Sequence, residues 1–194
     1  MAGYSTAILA VLEHLAIRQA IIAGISMGGY ITMQMLRDAP GRFNGLILID
    51  TRERADADQA REDRFKTVAR IERDGPQPIL DEMLPKMVVN DSRREALRQV
   101  MASATAAGMI AAQRAMARRP DSTATLRAVR VPALVIGGDR DPITPPGDAR
   151  RLAGLIPGAQ LTIIDQAAHA SNFDQPEAFN RAVTEFLGMR FGSK

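Results

Sequence analysis

Apolar positions along this chain fall into two patterns: short unbroken runs, and stripes spaced three and four residues apart. Ile8, Leu9, Val11, Leu12 and Leu15 form a stripe with helical spacing. Ala20-Ile21-Ile22-Ala23 follows as a short run suited to a strand buried on both faces. A second stripe, Tyr30, Ile31, Met35 and Leu36, stops at Pro40-Gly41. Leu46-Ile47-Leu48-Ile49 is another buried strand. Ala133-Leu134-Val135-Ile136 and Leu161-Thr162-Ile163-Ile164 are two more. Between these last two, Leu152 and Leu155 mark a helix closed by Pro157-Gly158. A final helix starts near Pro176, a residue suited to a first turn, and carries Phe179, Val183, Phe186 and Leu187 on one side.

Strands alternating with helices predict an α/β fold, with about four parallel strands covered on both faces. The stretch from 52 to about 130 breaks that alternation. Its stripes (Phe65, Val68, Ile71; Ile79, Leu80, Met83, Leu84, Met87; Leu97, Val100, Met101; Met109, Ile110, Met116) predict several short helices inserted as a lid. The chain thus divides into a first core segment at 1–51, a helical cap at 52–130 and the rest of the core at 131–194.

Composition narrows the function. The 194 residues suit one domain or one domain with an insertion, and 46% apolar with 24% charged residues is ordinary globular make-up. There is no cysteine and there are only two histidines, which excludes disulfides, thiolate chemistry and a histidine-rich metal centre. No apolar run approaches the ~18 residues of a membrane span, and no basic segment precedes the first apolar stretch. The expectation is a cytoplasmic protein without a membrane partner. A net charge of +3, with acids interspersed among the bases, is no footprint of nucleic-acid binding.

The chemistry centres on Gly24-Ile25-Ser26-Met27-Gly28, where an apolar strand meets an amphipathic helix. A serine on such a sharp turn is thrust out at the carboxyl edge of the sheet. Gly24 and Gly28 are expected to be small because strand and helix pass closely there. The Met27 N–H then lies at a helix N-terminus, where an unpaired donor favours an anion. A serine hydroxyl needs a base. His169 follows the last strand, at the end of the sheet where sites form in open α/β folds. His14, beside Glu13 within the first helix, reads as a solvated histidine. An acid must orient the base. Asp139 and Asp141 in Gly137-Gly138-Asp139-Arg140-Asp141-Pro142, and Asp50 just after the second strand, all qualify by position. The order Ser…Asp…His fits a nucleophile-elbow hydrolase.

With these residues in view, the sequence resembles the α/β-hydrolase superfamily, and within it the 3-oxoadipate enol-lactonase-like and small carboxylesterase-like branch. The elbow Gly-Ile-Ser-Met-Gly-Gly-Tyr carries the likeness, as do Ile49-Asp50-Thr51-Arg52, the acid loop Gly138–Pro146, and Ala168-His169-Ala170-Ser171-Asn172 followed by Gln175-Pro176-Glu177-Ala178-Phe179. The resemblance implies Ser26, Asp141 and His169 as the catalytic set, Met27 N–H as oxyanion donor, an acyl-enzyme, and no cofactor or metal. It also implies strands and a loop with a second oxyanion donor ahead of the first helix, for which this sequence has no counterpart. A truncated hydrolase of weakened activity is therefore expected, since losing one such donor costs about 10²–10³ in turnover. The Ala20–Ala23 strand then becomes a sheet edge, open to pairing with a second copy as a homodimer.

The expected substrate is a small ester or lactone. The alternative is a catalytically silent binding or interaction module built on a hydrolase remnant. The cap methionines Met83, Met87, Met101, Met109 and Met116 read as core packing ahead of an acyl pocket. The cap arginines, interleaved with acids, read as a solvated helix surface.

Overall fold

The computed structural model describes residues 1–191. Helix α1 (Ala2–His14) leads into β1 (Ala20–Ile25), α2 (Met27–Asp38) and, after a 3₁₀ turn at Pro40–Arg42, β2 (Phe43–Ile49). Five helices follow: α3 (Asp58–Asp74), α4 (Gln77–Met87), α5 (Asp91–Met101), α6 (Ala106–Ala117) and α7 (Thr123–Arg127). The chain then forms β3 (Ala133–Gly138), α8 (Pro146–Leu155), β4 (Gln160–Ile164), the single turn α9 (Ser171–Asp174) and α10 (Pro176–Phe191).

The four strands pair in parallel in the order β1-β2-β3-β4. In register, Leu48 sits beside Val135, and Val135 beside Leu161. Side chains alternate across the sheet. Leu46, Leu48 and Val135 face a core built with Met33 and Met35 of α2 and Leu152 of α8. Ile47, Ile49, Leu134 and Ile136 face the opposite core, with Ile164 of β4 and Phe186 of α10. Both faces are apolar because both are covered, which is why these strands read as continuous runs.

The edge strand β1 leaves Ala23 and Ile25 exposed. Leu9 and Leu12 of α1 pack on the first core, while Ile8, Val11 and Leu15 from the same stripe are exposed. A helix seated on one neighbour buries a narrower band than its apolar stripe offers.

Helices α3–α6 form the insertion between β2 and β3. Arg119 closes it: its guanidinium pairs with Asp56 at 2.7 Å and lies 4.2 Å from the centre of the Tyr30 ring on α2. α7 lies within the stretch expected to be cap, yet Leu126 and Val129 pack in the first sheet core, so that core resumes before residue 130. Cap arginines are paired at the surface, Arg70 with Glu82, Arg98 with Asp81 and Arg114 with Glu72, as a solvated face requires.

Candidate active site

Ser26 separates the end of β1 from the start of α2 with φ 50° and ψ −115°. A non-glycine residue there is strained by about 1–3 kcal/mol and persists only when its surroundings hold it. Three hydrogen bonds do so. The Ser26 N–H donates to Ile49 O at 2.9 Å, and its carbonyl accepts from Gly29 N–H at 3.0 Å and from Thr51 Oγ at 2.8 Å. The turn is therefore anchored to β2 and to the residue following Asp50.

The crowding differs from the sequence expectation. A Cβ on Gly24 would sit 2.3 Å from the Gly28 carbonyl oxygen and 2.5 Å from Thr32 Oγ. A Cβ on Gly28 would meet nothing within 4 Å, so Gly28 is not required to be small for packing. The close approach is made by the Gly28 backbone onto Gly24, which leaves the Gly28 Cα pointing into open space. Gly29 is the second constrained position, since a Cβ there would lie 2.5 Å from Thr51 Oγ.

Ser26 Oγ lies 2.7 Å from His169 Nε2, and His169 Nδ1 lies 2.8 Å from Asp141 Oδ2. His169 is buried, in the link between β4 and α9, while Ser26 is half-buried and accessible. Asp141 accepts further hydrogen bonds from Ile143 N–H (2.7 Å), Thr144 N–H (2.9 Å) and Thr144 Oγ (2.6 Å). Burial by itself would raise the Asp141 pKa. The hydrogen bond and charge attraction from His169, with the Thr144 bonds, outweigh that and hold it below the usual carboxylate value. Asp141 is thus kept ionised beside the imidazole. Met27 opens α2, where the first N–H groups have no intrahelical acceptor.

The other acid candidates brace the same region without meeting the imidazole in a hydrogen bond. Asp139 accepts from Ala167 N–H at 3.1 Å. Asp50 accepts from Gly138 N–H (3.0 Å), Ser171 N–H (3.1 Å) and Ser171 Oγ (2.7 Å), and so ties the acid loop to the histidine loop. Burial pushes the Asp50 carboxyl up to about 6, against the lowering effect of its Ser171 hydrogen bonds and of nearby His169. Asp50 has φ 44°, a second strained position. His14 is exposed in the last turn of α1, away from the cluster.

Thr51, Thr144 and Ser171 lie in the stretches that carry the family likeness but had no role assigned from sequence, and Asp174 was not singled out at all. A single hydroxyl or a helix-end aspartate does not reveal its partner by spacing, and only Thr144, three residues after Asp141, has a local signal as a turn partner. Met87 and Met101 pack with Val88, Leu97, Ala170 and Phe173 beside the histidine loop. Among the described residues no group of three or more His, Asp or Glu is placed to hold a metal ion, and no helix is long and apolar enough to cross a membrane.

A parallel sheet carrying a strained serine, a buried histidine and an ionised aspartate in hydrogen-bonded sequence at its carboxyl end has the architecture of the α/β hydrolases. Residues 2–182 match the alpha/beta hydrolase family, and the chain belongs to it. It is 33% identical over 184 residues to 3-oxoadipate enol-lactonase 2 of Acinetobacter baylyi, covering 92% of this chain and 67% of that one. A thermophilic esterase from Thermogutta terrifontis superposes with a TM-score of 0.88 at 36% identity, over 92% of this chain and 68% of the esterase. The enol-lactonase from Burkholderia xenovorans LB400 superposes with a TM-score of 0.84 at 25% identity, over 94% and 71% of the two chains.

Proposed function

We propose that this α/β hydrolase cleaves a carboxylic ester or lactone through a serine acyl-enzyme. The continuous hydrogen-bonded file Ser26–His169–Asp141 carries the reading. Ser26 Oγ attacks the carbonyl carbon as His169 Nε2 takes its proton, and Asp141 stabilises the imidazolium. The Met27 N–H, at the positive end of α2, receives the oxyanion. Collapse breaks the acyl C–O bond, and His169 returns the proton to the departing alkoxide. Water then repeats the sequence and releases the acid. Each step is proton transfer or acyl transfer, so the chemistry calls for neither a metal nor a redox cofactor. The esterase and enol-lactonase names among the relatives support this substrate class.

A fluorophosphonate probe reports the step directly, because Ser26 Oγ would bond to phosphorus, expel fluoride and keep the phosphonyl group. The wild type is expected to label and to hydrolyse p-nitrophenyl acetate. Ser26→Ala abolishes both and His169→Ala weakens both. A folded wild type that neither labels nor hydrolyses refutes the enzyme and leaves the binding module. The open edge of β1, with Ala23 and Ile25 exposed, supports pairing with a second copy. Size-exclusion chromatography with light scattering is expected to give a dimer, and a monomer removes that part of the proposal.

A further inference from the structure

Asp174 ends the single turn α9, five residues after His169, and is 3% exposed. A buried carboxylate needs several hydrogen bonds to remain tolerable. This one has them from two parts of the chain. Its Oδ2 accepts from Ala168 N–H at 2.8 Å, immediately before His169. Its Oδ1 accepts from Val89 N–H at 3.0 Å and Asn90 N–H at 2.9 Å, in the connector between α4 and α5 of the insertion.

The same connector grips the other side of the histidine. Ala170 N–H donates to the Met87 carbonyl at 2.7 Å. Both peptide neighbours of His169 are thus tied to Met87–Asn90, one directly and one through Asp174. Val88, fully buried, fills the space between with Leu84, Leu97 and Ala170. The imidazole is held by its ring partners at one end and by the insertion at its backbone.

We propose that Asp174 is a positioning residue that joins the α4–α5 connector and the His169 backbone into one hydrogen-bonded unit, so that the seating of the insertion sets the place of the imidazole. Its functional meaning rests on His169 being the base. The geometric coupling stands apart from that reading. When the insertion is displaced, the Ala168 and Ala170 peptides follow it, and the Nε2 to Ser26 Oγ contact is lost. A misplacement of about 1 Å costs on the order of 10²-fold in rate.

Asp174→Asn keeps the shape but replaces one acceptor oxygen by a donor. In an H14Q background His169 is the only imidazole, and its ring N–H resonances can be followed without ambiguity. D174N is expected to move those resonances and to slow fluorophosphonate labelling by about 10²-fold. Thr105→Ala removes the cap of α6, where Thr105 Oγ accepts Gly108 N–H at 3.1 Å, and loosens the insertion far from the connector. It is expected to lower the melting temperature and leave the His169 resonances in place. A folded D174N with wild-type His169 resonances overturns the proposal, and so does a T105A variant that shifts them equally. Should D174N not fold, Val89→Pro carries the same test. It deletes one connector donor while Asp174 keeps Ala168, and the extended Val88 before it suits a proline. If the wild type does not label at all, the hydrolase reading fails, and the resonance comparison still decides the coupling.

Discussion

Replacing Gly24 by alanine tests the elbow where the structure departs from the motif. The new methyl carbon would stand 2.3 Å from Gly28 O, 2.4 Å from Gly28 C and 2.5 Å from Thr32 Oγ, where 3.4 Å begins ordinary contact. The nearest two atoms are backbone, so no rotamer change relieves the clash. The strand and helix must separate by roughly 1 Å at the turn that holds Ser26. Overpacking of this kind costs about 1–3 kcal/mol. The immobile neighbours argue for the upper end, a fall in melting temperature of roughly 6–12 °C for a chain of this size. The same separation carries Ser26 Oγ away from His169 Nε2, and the labelling rate is expected to fall by about 10²-fold. Gly28→Ala meets nothing within 4 Å and replaces a helical glycine. Its melting temperature should hold or rise, since alanine is favoured by up to about 1 kcal/mol within a helix. Thermal melts of both variants beside labelling rates decide the matter. A G24A protein as stable as the wild type, or a G28A protein destabilised as much as G24A, refutes the assignment of the crowding to Gly24.

Asp141→Asn removes the charge that pairs with the imidazolium, and turnover of an activated ester is expected to fall by about 10⁴-fold with the fold retained by circular dichroism. A loss below tenfold would move the acid role elsewhere. The Asp50 carboxyl, raised from 3.8 to about 6 in the folded protein, stays protonated there at pH values where the unfolded chain has already lost the proton. The sign follows: its contribution to stability is complete below about pH 4 and is lost as pH rises through about 6, a change of about 3 kcal/mol. Asp141, held low, acts oppositely and is lost only as pH falls below the ordinary carboxylate range. Urea unfolding from pH 4 to 7 should therefore show D50N lacking a downward slope that the wild type has. Parallel profiles would mean that Asp50 does not carry that proton.

Much of the architecture was legible because burial on both sides writes itself into a strand. Leu46–Ile49 and Ala133–Ile136 had to be central, since no exposed position interrupts them. The helix from Pro176 carried its start signal and its apolar face, and Phe186 is fully buried as that face requires. The insertion was legible as helices, but its end was not. The short α7 shows no periodicity that separates core from cap, and only the packing of Leu126 against the sheet does so. Within the site, the elbow serine and the histidine after the last strand could be found from neighbours in sequence. Spacing left Asp50, Asp139 and Asp141 open, because all three follow strands ending at the same edge, and only the likeness of the Gly138–Pro146 loop to the family's acid loop singled out Asp141.

The order of elements, the parallel sheet, the serine at a strand–helix junction and a histidine beyond the last strand follow from the sequence alone, because they depend on local spacing and on which residues water rejects. What only the tertiary structure decided is which oxygen meets which nitrogen. Asp141 meets His169, Asp139 meets Ala167, Asp50 joins two loops and Asp174 joins a loop to the insertion. Hydrogen bonds reach about 3 Å and demand direction. Residues as far apart as Asp50 and Ser171, 121 positions along the chain, are brought to that distance only by the packing of whole strands and helices, and no local pattern records the result.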